Sequence, residues 1–339
     1  GVYFEQARTA RERGPAAGDG ATDRSRDVAR LLVRRGHALR CAGQASPAIG
    51  CFVEAAKLAR AISDGSLITQ CALGYGATQR GFGDFQLVAL LREASERWGP
   101  HDPATAARLD VELSLALRQT PEQRTALELA QRAVERARAI GDDALLSRAL
   151  VALRWNAQES EPIVELVATS REAFKRATAS DDLALVNDAR LCVTWDLMHA
   201  GDGEGLEREV RAYQASAHRL GHGYDSIIAA RFDVVVALAK GDFEHADTLA
   251  AEALRLGRAG GDSTTDIVRS IQLLLPLRER GRLLDMEGFV RLMDQIVPKP
   301  SIWRAALAMV YAESDRADSA REVVHEVAAQ LATADRHFN

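Results

Sequence analysis

The sequence has few aromatic residues and few prolines: aromatics make up 5% of its 339 residues, and proline occurs 9 times. β-Strands favour aromatic and β-branched residues, whereas alanine and leucine, which recur throughout this chain, favour helices. The composition therefore predicts an all-helical protein. Hydrophobic residues make up 47% of the chain, which is enough for a core and excludes a disordered, collagen-like or mucin-like protein.

Cysteines and long apolar runs are scarce as well. The 4 cysteines form no Cys-x-x-Cys pair, so we expect free thiols in a reducing compartment, buried as small apolar side chains. No segment approaches the roughly 20 apolar residues that span a membrane, and the start lacks the layout of a signal peptide. We therefore expect a soluble cytoplasmic protein without a membrane partner. Because the sequence begins with Gly1 rather than methionine, we also expect it to be part of a longer protein.

Neither sign of charge dominates, and motifs for catalysis are missing. There are 43 basic and 48 acidic residues, so the chain has no excess positive charge for direct binding of nucleic acid. It contains no phosphate-binding loop ending in Gly-Lys-Ser/Thr and no Gly-x-Ser-x-Gly nucleophile motif. His218 and His222 have a metal-ligand spacing, but Gly221 lies between them at a predicted helix end. We expect no catalytic residue, no metal and no cofactor, and hence no enzyme activity.

Turn signals recur along the chain in two interleaved series. One series ends at residues 64, 102, 142, 182, 222 and 262, in steps of 38 or 40 residues, and the other falls midway between them. Glycine allows the positive φ that ends a helix, and a following aspartate caps the next one, as in Gly141-Asp142 and Gly241-Asp242. Between the turns, apolar residues recur at threes and fours. The repeating unit is therefore a pair of helices.

This period predicts the fold and the domain boundaries. About eight pairs of roughly 40 residues stack into a right-handed α-solenoid with a concave inner surface. We expect an N-terminal helix and flexible linker in residues 1–23, the repeat domain in residues 24–332, and a C-terminal tail of a truncated chain in residues 333–339.

Residues 31–56 resemble a tetratricopeptide repeat. Small or apolar residues fall near the positions where that consensus places them: Gly36, Leu39, Gly43, Ala48, Phe52 and Ala55. The period near 40 exceeds the usual 34, and the closing proline is absent, so the resemblance is to the variants with longer helices.

Residues 137–145, 231–254 and 303–311 resemble the C-terminal repeats of large actinobacterial STAND ATPase regulators. These include LuxR-type activators related to the maltose activator, and adenylate or guanylate cyclases with the same ATPase and repeats. The resemblance implies a regulatory sensor whose repeats bind an inducer or partner protein and bias an ATPase between off and on states. Any ATP, DNA or cyclase chemistry would lie on sequence outside this chain.

In solenoids of helix pairs the first helix of each pair usually lines the concave face. Arginine and tryptophan often anchor interfaces because each combines a large area with a directional polar group. The candidate ligand- or partner-binding residues on predicted first helices are Arg148, Trp155, Arg190, Trp195, Asp196, Arg231, Asp233, Arg269 and Gln272. The alternative is structural: the tryptophans form core between repeats, and the arginines are solvated or paired with acidic residues.

Two functional hypotheses remain open at this point. The first is a non-catalytic regulatory sensor that binds a protein, a peptide or a small-molecule inducer in its groove and controls an attached ATPase switch. The second is a free-standing helical-repeat biosynthetic enzyme or accessory protein whose groove has become a small-molecule pocket.

Overall fold

The computed structural model describes residues 19–79, 84–98, 102–118, 120–221, 223–262, 264–296 and 302–335, and within these ranges the regular structure is entirely helical. The predicted all-α solenoid is confirmed. In chain order the α-helices are α1 Asp19–Cys41, α2 Ala45–Ala61, α3 Gly65–Gly76, α4 Phe85–Trp98, α5 Pro103–Leu117, α6 Gln123–Ile140, α7 Asp143–Asn156, α8 Ile163–Ala179, α9 Leu183–His199, α10 Gly203–Leu220, α11 Gly223–Ala239, α12 Phe243–Gly260, α13 Thr265–Glu279, α14 Glu287–Ile296, α15 Ile302–Ala312 and α16 Ala317–Asp335, with a 3-10 helix, Leu283–Met286, directly before α14.

The predicted turn chemistry forms the helix ends. Gly141 ends α6 with a φ of 77°, a left-handed conformation that glycine adopts without steric cost. Asp142 then accepts a hydrogen bond from the backbone N–H of Leu145 and caps α7. Aspartates cap α3, α5, α9, α10 and α12 in the same way. The sixteen α-helices in the described ranges therefore form eight consecutive pairs, α1–α2 to α15–α16.

The residues behind the tetratricopeptide resemblance pack against one another. The Phe52 ring on α2 is fully buried between α1 and α3. A Cβ atom at Gly36 on α1 would lie 2.8 Å from this ring, and one at Gly74 on α3 would overlap it. The two glycines therefore let the three helices approach closely around one aromatic side chain. Elsewhere in the core the contacts are mainly between alanines and leucines, which explains the low aromatic content.

The first helices of the pairs form an inner layer. Each of α1, α3, α5 and α7 contacts the first helix of the next pair, and α11 likewise contacts α13. The second helices α2, α4, α6, α8, α10 and α12 pack outside them, each against the two first helices adjacent in the chain, whereas α14 packs against the 3-10 helix and α15, and α16 against α15. The inner layer therefore presents the surface on which sequence analysis places a ligand.

The superhelix touches itself between the first and the sixth pair. The α1–α2 turn approaches the start of α11 so closely that a Cβ at Gly43 would lie 2.7 Å from the Cα of Gly223. A Cβ at Gly260, at the end of α12, would lie 3.2 Å from the carbonyl oxygen of Gly43. We call this contact the closure. It brings the first pair against the sixth, and the inner layer encloses a central groove.

One boundary differs from the sequence prediction. Helix α1 begins at Asp19, so residues 19–23, which were predicted as the end of a linker, are helical. Asp23 forms an ion pair with Arg26 one turn later, at 3.0 Å, and acidic residues are favourable near a helix N-terminus. The predicted N-terminal helix and residues 14–18 of the predicted linker lie outside the described residues.

Candidate ligand-binding groove

Two adjoining cavities occupy the central groove. The first has a volume of about 230 Å³ and is lined mainly by α3, α5, α7, α9 and α11; we call it the tryptophan cavity after Trp155 and Trp195. The second has a volume of about 450 Å³ and lies against the α1–α2 turn and the starts of α7, α9 and α11; we call it the arginine cavity after Arg40, Arg108 and Arg148. Both cavities share the lining residues Ala77, Arg148, Leu185, Asp188 and Tyr224. They therefore form one continuous groove.

Two indole rings line the tryptophan cavity, and two guanidinium groups contact one of them. Trp155 on α7 and Trp195 on α9 make an edge-to-face contact, with ring centroids 6.0 Å apart. The guanidinium carbon of Arg154 lies 4.3 Å from the Trp155 ring centroid, and that of Arg118 lies 5.1 Å from it. Cations at these distances attract the electron-rich face of an indole ring. The contacts hold Trp155 in place and leave its remaining surface toward the cavity.

Burial and the nearby Arg154 charge lower the pKa of the Arg118 guanidinium to about 10. Arg118 therefore still carries its charge at neutral pH, next to the aromatic rings of the tryptophan cavity. The Cys192 thiol on α9 is buried, and burial raises its pKa to about 12. This cysteine is therefore a small core side chain rather than a nucleophile, as we expected from the sequence.

A buried ion pair supports the tryptophan cavity from behind. Arg154 on α7 donates to Asp196 on α9 through Nε at 3.0 Å and Nη2 at 2.5 Å, and both side chains are almost completely buried. The Ser170 hydroxyl on α8 donates to the other carboxylate oxygen of Asp196 at 2.5 Å, and the Gln158 side chain accepts from Arg154 at 3.2 Å. These bonds join three helices and fix the positions from which Trp155 and Trp195 project.

The arginine cavity is lined by side chains of both signs. Its carboxylates belong to Asp142, Asp182, Asp188, Asp225 and Asp262. Asp225 accepts hydrogen bonds from Tyr213 and Asn187, each at 3.0 Å. Burial, and next the Asp225 charge, raise the pKa of Tyr213 well above its usual range, so this hydroxyl stays protonated and continues to donate.

Three of the nine sequence-predicted residues line the groove: Arg148, Trp155 and Trp195. Arg148 is solvent-exposed and borders both cavities. Sequence reasoning missed other lining residues, among them Arg118 and Tyr224. Arg118 reaches the Trp155 ring from the end of α5, and Tyr224 lies at the start of α11, so both join the groove through the stacking of the first helices, which the sequence pattern does not show.

The other six predicted residues line neither cavity and form contacts within the fold. Asp196 holds Arg154, and Arg190 lies 5.0 Å from the Phe174 ring centroid. The remaining contacts pair Arg231 with Asp262 at 2.5 Å, Asp233 with Gln214, Arg269 with Asp247 at 3.6 Å, and Gln272 with the Arg231 carbonyl at 3.3 Å. These six side chains therefore contact other parts of the fold rather than the groove.

Comparisons with known proteins show the fold. The sequence matches no protein-family model and no curated protein. A Rap protein complexed with Competence and Sporulation Factor has a similar structure, with a TM-score of 0.62 and 11% identity over 98% of this chain and 96% of that one. Aspartyl phosphate phosphatase F from Bacillus subtilis gives a TM-score of 0.51 and 12% identity over 82% of this chain and 74% of that one.

A third similar structure is a STAND protein with a tetratricopeptide repeat sensor from Pyrococcus horikoshii. Its TM-score is 0.51 at 12% identity, over 97% of this chain and 52% of that one, so this chain corresponds to about half of that protein. The chain therefore has a tetratricopeptide-like helical-repeat fold that also occurs in a STAND protein.

Two further findings concern only the described parts of the chain. No helix there combines the length and apolarity needed to cross a bilayer. No group of three or more histidine, cysteine, aspartate or glutamate side chains comes together there with the geometry to hold a metal ion.

Proposed function

We propose that this chain is a non-catalytic sensor domain whose central groove binds a short peptide or a small inducer. The observation that carries the proposal is the pair of adjoining cavities on the inner layer, with Trp155 and Trp195 exposed toward one of them. A concave site with aromatic walls and a few directed polar groups is typical of small-ligand binding. The closure narrows the groove, which favours a peptide or small molecule over a folded protein.

The regulatory part of the proposal rests on two likenesses. Segments of the sequence resemble the repeats of LuxR-type activators and cyclases, and the fold is similar to that of a STAND protein with a repeat sensor. In the Rap structure of similar fold, the protein is complexed with Competence and Sporulation Factor. We propose that ligand binding in the groove biases an ATPase switch attached to this chain in a bacterial transcriptional regulator or cyclase.

Equilibrium dialysis tests the binding function. The chain is dialysed against a random library of short peptides and, separately, a mixture of bacterial metabolites, and the retained compounds are identified by mass spectrometry. We expect specific compounds to be retained by the wild type and retained at least about tenfold less by Trp155→Ala and Trp195→Ala, because each loses its aromatic contact with the ligand.

The control for this experiment is Leu292→Ala, which removes an exposed apolar side chain that lines neither cavity. Circular dichroism checks that all variants are folded. Retention of nothing by the wild type, or equal retention by the wild type and both tryptophan variants, would contradict the proposal. In the complete regulator, addition of a retained compound is expected to change the rate of ATP hydrolysis, and this change should be lost in Trp155→Ala.

A further inference from the structure

The carboxylates that line the arginine cavity have partners within the fold, whereas no side chain of the described residues pairs with its three arginines. Asp142 and Asp182 accept hydrogen bonds from backbone N–H groups at the starts of α7 and α9. Asp225 accepts from two side chains, and Asp262 accepts from Arg231 at 2.5 Å. Asp188 also interacts within the fold. Each of these carboxylates therefore already has a partner within the fold.

The three arginines differ from these carboxylates. Among the described residues, no side chain forms an ion pair or a hydrogen bond with Arg40, Arg108 or Arg148. The Nε atom of Arg40 is buried and without a hydrogen-bond partner, and Arg108 and Arg148 are exposed to the cavity. The exposed guanidinium groups of Arg108 and Arg148 can donate charge-assisted hydrogen bonds to an anionic group in the cavity.

The three arginines come from distant parts of the chain. Arg40 belongs to α1, Arg108 to α5 and Arg148 to α7, and Arg40 reaches the cavity because the closure places the α1–α2 turn against the sixth pair. We propose that Arg40, Arg108 and Arg148 form a binding site for an oxyanion, a carboxylate or phosphate group, of the ligand that occupies the groove. The proposal rests on the proposed function, because it specifies the chemistry of the ligand.

The position of Arg148 extends this inference to the shape of the ligand. Arg148 borders both cavities, so a ligand whose oxyanion contacts Arg148 extends directly toward Trp155 and Trp195. The fitting class is a compact molecule with an anionic group at one end and an aromatic or apolar group at the other, such as an acidic metabolite or a short peptide with a free carboxylate.

Binding of N-acetyl-L-tryptophan, which has both groups, is compared with binding of its uncharged primary amide by ligand-observed NMR. Inorganic phosphate is titrated separately and distinguishes a phosphate preference from a carboxylate preference. We expect the acid to bind the wild type at least about tenfold more tightly than the amide, which corresponds to about 1.4 kcal/mol. Arg148→Gln, and the triple variant Arg40→Gln/Arg108→Gln/Arg148→Gln, should bind acid and amide equally.

The matched control is Arg124→Gln/Arg211→Gln/Arg255→Gln, which removes three charges from exposed side chains on second helices. It should keep the preference for the acid. Equal binding of acid and amide by the wild type, with no phosphate binding up to about 20 mM, would overturn the oxyanion site. So would an acid preference that persists in both Arg148→Gln and the triple variant. Binding of the amide that is lost in Trp155→Ala would leave the proposed function standing while this site fails.

Discussion

At the scale of single residues, the buried Arg154 explains why the groove has its shape. Its guanidinium group contacts the Trp155 ring on one side and holds Asp196 on the other, so one side chain links the surface of the groove to the contact between α7 and α9. Ionised groups lose hydration on burial, and their attraction offsets that cost only when the geometry is good and the remaining polar atoms are bonded. Ser170 and Gln158 supply those additional bonds.

This arrangement leads to a prediction about stability. Replacing Arg154 with methionine leaves the Asp196 carboxylate buried without its counter-charge, so we expect Arg154→Met to lower the free energy of unfolding by about 3–5 kcal/mol. Adding Asp196→Asn removes the unpaired charge and should recover part of that loss. Urea denaturation measures both variants.

Arg124→Met is the control for this prediction, because Arg124 forms an exposed ion pair with Glu128 and should contribute less than about 1 kcal/mol. A double variant no more stable than Arg154→Met alone would show that the buried charge is not the cause of the loss.

Sequence reasoning at this scale selects the right residue types but not their roles. Trp155, Trp195 and Arg148 reach the groove, whereas Asp196 and Arg231 are used by the fold. Residue type cannot separate these cases, because an arginine suits a ligand and a buried carboxylate equally well. A signal for the ion pair does exist: Arg154 lies in the buried stripe of α7, four residues after Leu150, and its partner lies 42 residues later, about one repeat along the chain.

At the scale of helices and turns, most of the structure follows from local chemistry. The Gly-Asp turns predict where helices end and begin, because left-handed glycines and aspartate caps act within a few residues of one another. The sequence prediction extended the linker to residue 23 because this region contains several glycines, whereas α1 begins at Asp19. Gly20 lies within α1 nonetheless, followed by the Asp23–Arg26 pair. A local glycine signal is therefore weaker than the packing of the whole helix against α2.

Asp202 provides a test of the capping chemistry. Its carboxylate accepts a hydrogen bond of 2.8 Å from the backbone N–H of Gly205 at the start of α10. We expect Asp202→Ala to lower the free energy of unfolding by about 1 kcal/mol, because that N–H loses its acceptor, and Asp202→Asn to lie within a few tenths of the wild type. Denaturant unfolding measures the free energy of unfolding of both variants. An equal loss of stability in the two would show that the charge of Asp202, rather than its hydrogen bond to Gly205, stabilises the helix end.

At the scale of the whole molecule, the closure is the feature that sequence analysis did not predict. Each pair is rotated slightly relative to the one before it, and only the sum over five steps decides whether the first pair meets the sixth. Periodicity gives the number of pairs but not these rotations. The residues that line the arginine cavity could not be predicted from the sequence either, since Arg40 comes close to Arg108 and Arg148 only because of the closure.

Substitutions at two equivalent glycines distinguish the loss of the closure from the backbone strain that any side chain would cause there. Gly43 and Gly241 both follow the first helix of a pair with a φ of 74°, but a side chain at Gly241 meets no atom within 4 Å, whereas one at Gly43 meets Gly223. Gly43→Val and Gly241→Val should share the strain of a left-handed residue, about 1–2 kcal/mol. Only Gly43→Val should open the closure.

Hydrogen exchange followed by mass spectrometry measures that opening. In Gly43→Val, backbone amides of residues 42–46 and 223–227 should exchange faster than in the wild type, whereas in Gly241→Val the same two segments should be unaffected. Equal exchange at these segments in both variants would mean that the contact does not hold the two pairs together in solution.

The closure also restricts how the chain can change in length during evolution. An open solenoid can lose or gain a pair of helices at any point, since each unit contacts only its neighbours. Here, deletion of one pair between the first and the sixth would bring a different unit opposite Gly43, without the glycine at which the two backbones meet. The last two pairs, α13–α14 and α15–α16, lie beyond this contact. Differences in repeat number among descendants of this chain should therefore accumulate after residue 262 and be rare before it.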